Sequence, residues 1–172
     1  MTLKPIAEVR TYRRNLPHIE IPGSVYFVTF RTIAALTFSD EEKDVVFESI
    51  KFHDGKKYIL NACVVMNNHV HLIISPLVSG IEMLVPSQAT STKARNAFYS
   101  LGQITHSIKS YSANRIQKME GSKRRIWLDE NYDRVIRDEK ELLEKLQYIL
   151  NNPVKAGLVE NSKEYKWMYL MQ

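Results

Sequence analysis

The sequence predicts an α+β fold of the ferredoxin-like or RRM-like kind, an antiparallel β-sheet with helices packed on it. Three observations carry that expectation. Ser24–Arg31 alternates and is rich in β-branched and aromatic residues. Two apolar stretches, Tyr58–Met66 and His69–Ser75, are separated only by the turn pair Asn67-Asn68. Amphipathic stretches of helical period lie between and after these strands, giving the order strand–helix–strand–strand–helix–strand–helix.

Each element has a local reason. The first strand follows the turn residues Pro22-Gly23. Ser39-Asp40-Glu41-Glu42 is a helix start, with Ser39 as N-cap and Glu42 three residues on. Val45, Val46, Ser49 and Ile50 form the stripe of that helix, and Asp54-Gly55 ends it. Pro76 closes the third strand. Residues 77–95 carry Gly80, Pro86 and the polar run Ser87–Thr92, which predicts a flexible loop. A long helix is expected over 97–119, with Leu101, Ile104, Ile108 and Ile116 on one side. The mixed stretch 126–136 leads into a short strand around 133–137. Asp138 then caps a helix over 139–151, with Leu142, Leu143, Leu146 and Ile149 apolar. Pro153 disfavours helical geometry at Asn152, so this helix is expected to end or bend there.

The chain has 172 residues, 44% of them hydrophobic, which fits one domain over 1–172. Within it, 1–22 reads as a basic N-terminal arm and 160–172 as a C-terminal tail. No stretch approaches the roughly 18 apolar residues of a membrane span. The basic residues 1–14 lack the apolar core of a secretory signal. A single cysteine, Cys63, rules out an intrachain disulfide and a multi-cysteine zinc site. A cytoplasmic protein is the expectation. The net charge of +5 and pI near 9.2 are compatible with nucleic acid. The distribution is more telling, because Glu120 is the only acid between Val85 and Trp127, against Lys93, Arg95, Lys109, Arg115, Lys118, Lys123, Arg124 and Arg125. The arm adds Arg10, Arg13 and Arg14. A polyanion partner and a merely solvated basic face both fit this pattern.

Two small constellations carry chemistry. His69 and His71 are two apart in a strand, so their side chains share a face and can offer two neutral nitrogens to a divalent cation. The same spacing occurs in barrel metallohydrolases, but that fold needs about 200 residues or more. This chain is shorter and has no second histidine motif, while His18, His53 and His106 stand alone as structural or surface residues. Tyr148 and Asn152 are four apart on the last helix and share one face. A phenol can act as a covalent nucleophile, and an amide oxygen is a hard ligand for Mg²⁺ or Mn²⁺. Taken separately, each pair more often has a structural role.

The context adds a resemblance. Arg13-Arg14-Asn15-Leu16-Pro17-His18 precedes Tyr26-Phe27-Val28-Thr29-Phe30-Arg31. Val64-Val65-Met66-Asn67-Asn68-His69-Val70-His71-Leu72 follows, then Leu101-Gly102-Gln103-Ile104 to Lys109-Ser110-Tyr111. Trp127, Tyr132–Asp138 and Tyr148-Ile149-Leu150-Asn151-Asn152-Pro153-Val154-Lys155-Ala156-Gly157-Leu158-Val159 complete the series. Together these motifs resemble the single-tyrosine HUH transposases, and within them the REP-associated tyrosine transposases.

The resemblance implies the HUH endonuclease fold and a DNA nicking and strand-transfer activity through a 5′-phosphotyrosine. It implies Tyr148 as nucleophile, with His69, His71 and Asn152 binding Mg²⁺ or Mn²⁺. Tyr111, on another helix, has no amide partner four residues on. The implied partner is single-stranded or hairpin DNA, met by a monomer or a homodimer. Phosphate contacts are expected from Arg10, Arg13, Arg14, Lys109, Arg115, Arg124 and Arg125. Arg134 and Arg137 either steady the substrate phosphate or pair with Asp133 or Asp138. Trp127 either stacks on an exposed base or belongs to the core. Asn67 departs from the proline common in the family, which bears on turn rigidity and not on ligation. The alternative reading is a ferredoxin-like nucleic-acid-binding module without chemistry.

Overall fold

The computed structural model of the chain describes residues 10–13, 17–21, 23–34, 36–79 and 98–171. Its elements are β1 (Arg10–Arg13), β2 (Pro17–Glu20), β3 (Val25–Thr32), α1 (Asp40–His53), β4 (Tyr58–Val65), β5 (His69–Pro76), α2 (Leu101–Glu120), β6 (Trp127–Ile136), α3 (Glu139–Lys155), a 3-10 turn (Ser162–Glu164) and β7 (Met168–Leu170). β1 and β2 pair as a separate antiparallel ribbon, and the main sheet has the order β6-β3-β5-β4-β7. Every pairing in it is antiparallel. From β3 to β6 the chain follows the strand–helix–strand–strand–helix–strand order expected from the sequence, so the α+β, ferredoxin-like reading holds.

The strand register sorts side chains onto two faces. Val28, Leu72 and Cys63 align across β3, β5 and β4 on the face that α1 and α2 cover. Fully buried Ile50, Ile104 and Ile108 pack there, and the Ser49 hydroxyl donates to the Ile108 carbonyl at 3.3 Å. Burial pushes the Cys63 thiol up to about 12, so it is an inert core residue. The opposite face carries Phe27, Ala62, Val64 and Ile73, and α3 lies against it with Ile149 fully buried. With both faces covered, residues 70–74 of β5 are all buried, and burial does not alternate along the strand.

Helix α1 has the capping box read from the sequence, with Ser39 and Glu42 satisfying each other's backbone N–H groups. Helix α2 starts at Leu101, four residues later than expected, because Ser100 and Gln103 form a second capping box. The Glu20 carboxylate accepts the Leu101 N–H at 3.0 Å, setting a negative charge at the helix N-terminus and tying β2 to α2.

Four expectations change. Residues 10–13 and 17–20 of the supposed arm pair as a two-stranded ribbon. β6 is ten residues long, where a short strand was expected; as the edge strand it is only partly covered, so its apolar alternation is weak. The expected tail adds β7 to the edge of β4, fastened by the Tyr165 hydroxyl donating to the Val65 carbonyl at 2.8 Å and Trp167 Nε1 donating to Asp44 at 2.8 Å. Finally, α3 does not stop at Asn152. It runs through Pro153 to Lys155 and closes where Gly157, at φ 67°, leads into bonds from Gly157 N to Val154 O and Leu158 N to Pro153 O. Burial of Ile149 and Pro153 against the sheet and neighbouring segments offsets the hydrogen bond that proline cannot make. Most of the loop predicted over 77–95 lies outside the described residues. No helix among the described residues is long and apolar enough to cross a membrane.

Candidate active site

β5 presents His69 and His71 on the α3 side of the sheet, where β3 supplies their cross-strand partners: Arg31 faces His69 and Thr29 faces His71. The two imidazole centroids are 4.8 Å apart. His71 is 3% exposed, while His69 is half-buried. The Thr29 hydroxyl is 2.7 Å from His71 Nδ1, and Asn68 Oδ1 is 2.7 Å from His69 Nδ1. An amide oxygen only accepts, so His69 donates from Nδ1 and leaves Nε2 with its lone pair. The Thr29 hydroxyl can accept in the same sense, and among the described residues His71 Nε2 is a buried nitrogen with no hydrogen-bond partner.

Electrostatics keep both rings neutral. Burial pushes His71 down to about 3, helped by His69, Arg31 and Lys145. Burial also lowers His69, with Arg31 adding to the shift and a side-chain hydrogen bond to Asn152 opposing it. A neutral imidazole is the form that binds a metal, so the donor set suits a divalent cation. Among the described residues no cluster of three or more His, Cys, Asp or Glu exists. A cation here would therefore rest on two imidazoles and the Asn152 amide, with its other ligands drawn from substrate or water.

Helix α3 closes the site from above. The Tyr148 ring meets His71 edge-on at 5.1 Å and Phe27 at 5.9 Å, while Phe27 stacks on His71 at 5.3 Å. Tyr148 is nevertheless 44% exposed. Asn152 lies one turn on, and its Nδ2 donates to the Tyr148 carbonyl at 3.2 Å. The uninterrupted helix through Pro153 keeps these two residues in register. The four residues singled out from the sequence thus share one face of the sheet.

The proposed DNA contacts do not gather there. Lys109 and Arg115 are on α2, across the sheet, and the Lys109 ammonium donates to the Leu128 and Asp129 carbonyls at 2.7 and 3.3 Å. Arg124 pairs with Glu42 at 2.7 Å and with Glu120, and Arg125 pairs with Asp129 at 2.6 Å. Arg134 and Arg137 are ion-paired, with neither of the acids expected but with Glu141, at 2.6 and 3.3 Å. Arg10 and Arg13 lie in β1, and Arg14 is outside the described residues. Trp127 is a core residue, 6% exposed, wedged against Phe30 and Phe38 with Nε1 donating to Ser112.

The sequence reading missed Thr29, Asn68, Arg31 and Lys145. Asn68 is adjacent to His69 and was readable as its neighbour. The other three are 38 or more positions from His69, and only strand register or helix placement brings them near.

No family model matches the chain. A curated protein of Haemophilus influenzae, named "Putative REP-associated tyrosine transposase", is 27% identical over 165 residues, covering 92% of this chain and 82% of that protein. Over most of its length, then, the chain is similar to a REP-associated tyrosine transposase. A solved structure of a REP-associated tyrosine transposase bound to a REP hairpin superposes with a TM-score of 0.60 at 22% identity, covering 91% of this chain and 80% of that one. The two share a fold.

Proposed function

We propose that this protein is a transposase that nicks and rejoins single-stranded, hairpin-bearing DNA. In this reading Tyr148 is the nucleophile, and His69, His71 and Asn152 hold Mg²⁺ or Mn²⁺. The observation that carries it is the unpartnered, buried His71 Nε2, set on one face with His69, Asn152 and an accessible Tyr148. The hairpin in the related structure supports the substrate class.

A bound cation supplies Lewis-acid charge withdrawal and orientation of the scissile phosphate. The protein's own groups do the rest. Thr29 and Asn68 fix the two imidazoles, and the α3 turn fixes Tyr148 relative to Asn152. Phe27 buttresses the phenol from below, leaving its oxygen open to the strand. That oxygen attacks phosphorus in line as the bond to the 3′ oxygen breaks. The phenol proton passes to solvent, and the departing oxygen takes one up to become a 3′-hydroxyl. The 5′ end stays on Tyr148 as a phosphodiester, which preserves the energy of the broken bond. A second 3′-hydroxyl then displaces the phenol and joins strands without ATP.

A hairpin-bearing single strand from repeats flanking the gene, labelled at its 3′ end, tests this on a denaturing gel. A slow protein–DNA band should form with Mg²⁺ or Mn²⁺ and vanish with EDTA or in Tyr148→Phe. A band persisting in that variant would refute the nucleophile. Cutting without a band would mean that water attacks, and binding without cutting would favour the non-catalytic module.

A further inference from the structure

Two cations at the site have no counter-ion among the described residues. Among the described residues, Arg31 makes no hydrogen bond or ion pair, and Lys145 makes only a ring contact, with its ammonium 5.0 Å from the Phe27 centroid. This contrasts with Arg134 and Arg137, both committed to Glu141. An exposed arginine and a half-buried lysine left unpaired beside two imidazoles lower the proton affinity of those rings without gaining a partner in return. Such an arrangement is favourable once an anion arrives.

Their positions are also ordered. Along α3 the sequence is Lys145 beside Phe27, then Tyr148 against Phe27 and His71, then Asn152 hydrogen-bonded to His69. Arg31 is the cross-strand partner of His69, at the far end of that line. Phe27 and Arg31 are four residues apart on one strand, roughly 13 Å at about 3.3 Å per residue. The cations therefore bracket Tyr148 and the imidazole pair, one at each end.

We infer that Arg31 and Lys145 are positioning residues that grip the backbone phosphates on opposite sides of the scissile one, stretching the single strand across Tyr148. Neither touches the reacting atoms. Arg31 supplies a planar fork for one flanking phosphate, and Lys145, carried on the Phe27 ring, supplies a point charge for the other. The proposal rests on the nicking reading, and it adds the line along which the strand crosses the site.

The test uses Tyr148→Phe protein, which cannot cleave, in EDTA, with hairpin-bearing oligonucleotides whose cut site has been mapped by the gel assay. One phosphate on either the 5′ or the 3′ flank is replaced by an uncharged methylphosphonate, and binding is read by fluorescence anisotropy. Each replacement should weaken binding roughly tenfold, the scale of a hydrogen bond between charged groups. Arg31→Ala should erase the effect of one flank and Lys145→Ala that of the other, with Arg31→Lys and Lys145→Arg recovering part of it. Each alanine variant should also lower the salt-dependence slope by about 0.7. If both neutralisations act undiminished in both variants, or both depend on the same cation, the proposal is overturned. A wild-type protein that forms the covalent band while showing neither coupling refutes this inference alone. A wild-type protein that forms no band refutes the nicking reading beneath it.

Discussion

Thr29→Val isolates the hydrogen bond that holds the His71 ring. Valine keeps the shape of threonine but removes the hydroxyl 2.7 Å from Nδ1. His71 is 3% exposed, so water cannot replace the lost partner without disturbing the packing of Phe27 and Tyr148 around it. Leaving one buried polar atom unsatisfied costs about 1–3 kcal/mol of folding stability. The larger consequence concerns the metal. The Thr29 hydroxyl anchors Nδ1 and so keeps Nε2 directed into the site; without it, the ring can rotate. Loss of such an orienting partner typically weakens metal binding 10–100-fold, or roughly 1.4–2.8 kcal/mol. Mn²⁺ titration followed by electron paramagnetic resonance, alongside urea unfolding, reads both effects. Thr29→Ser restores the hydroxyl and should bind within a few-fold of wild type. A Thr29→Val protein that unfolds cooperatively and binds Mn²⁺ as tightly as wild type would refute the argument.

Three further outcomes are expected. In metal-free protein, the His71 ring stays neutral down to about pH 3, while in the unfolded chain it protonates near its ordinary value of 6.5. The unfolded state therefore gains a proton first as pH falls, and stability contributed by neutral His71 is full above 6.5 and lost progressively towards 3. His71→Asn should flatten the fall in melting temperature between pH 7 and pH 5. Trp127→Ala removes a buried ring from between Phe30 and Phe38 and should cost about 3–5 kcal/mol in urea unfolding. Glu141→Gln discharges the acid that holds Arg134 and Arg137. Single-strand affinity at low salt should rise, and the salt slope should steepen by up to about 1.4 if both arginines then meet phosphate; an unchanged slope would remove them from the DNA path.

Much of the fold was legible because it is written locally. The capping box at Ser39–Glu42, the turn at Asn67-Asn68 and the strand periodicity of Ser24–Arg31 each act over a few residues. The elements that escaped are those whose partners are distant. β7 is three residues of ordinary composition that become a strand only because β4 offers a free edge. Residues 10–13 and 17–20 form a ribbon only by pairing with each other and meeting α2 through Glu20. Helix α3 survives Pro153 because tertiary burial outweighs a local preference that, read alone, ends the helix.

The candidate site divides along the same line. Spacing alone fixed that His69 and His71 share a strand face and that Tyr148 and Asn152 share a helix face, since the strand and helix periods are properties of the backbone. Whether the two pairs meet was decided by which side of the sheet α3 covers. The placement of the cations was hidden from the sequence for the same reason. Sequence shows how many arginines a segment holds, whereas only the packed structure shows that Glu42, Glu120, Asp129 and Glu141 occupy four of them and that Arg31, beside His69, has no ion-pair partner among the described residues. Charge acts through space, and the sequence alone specifies distance only along the chain.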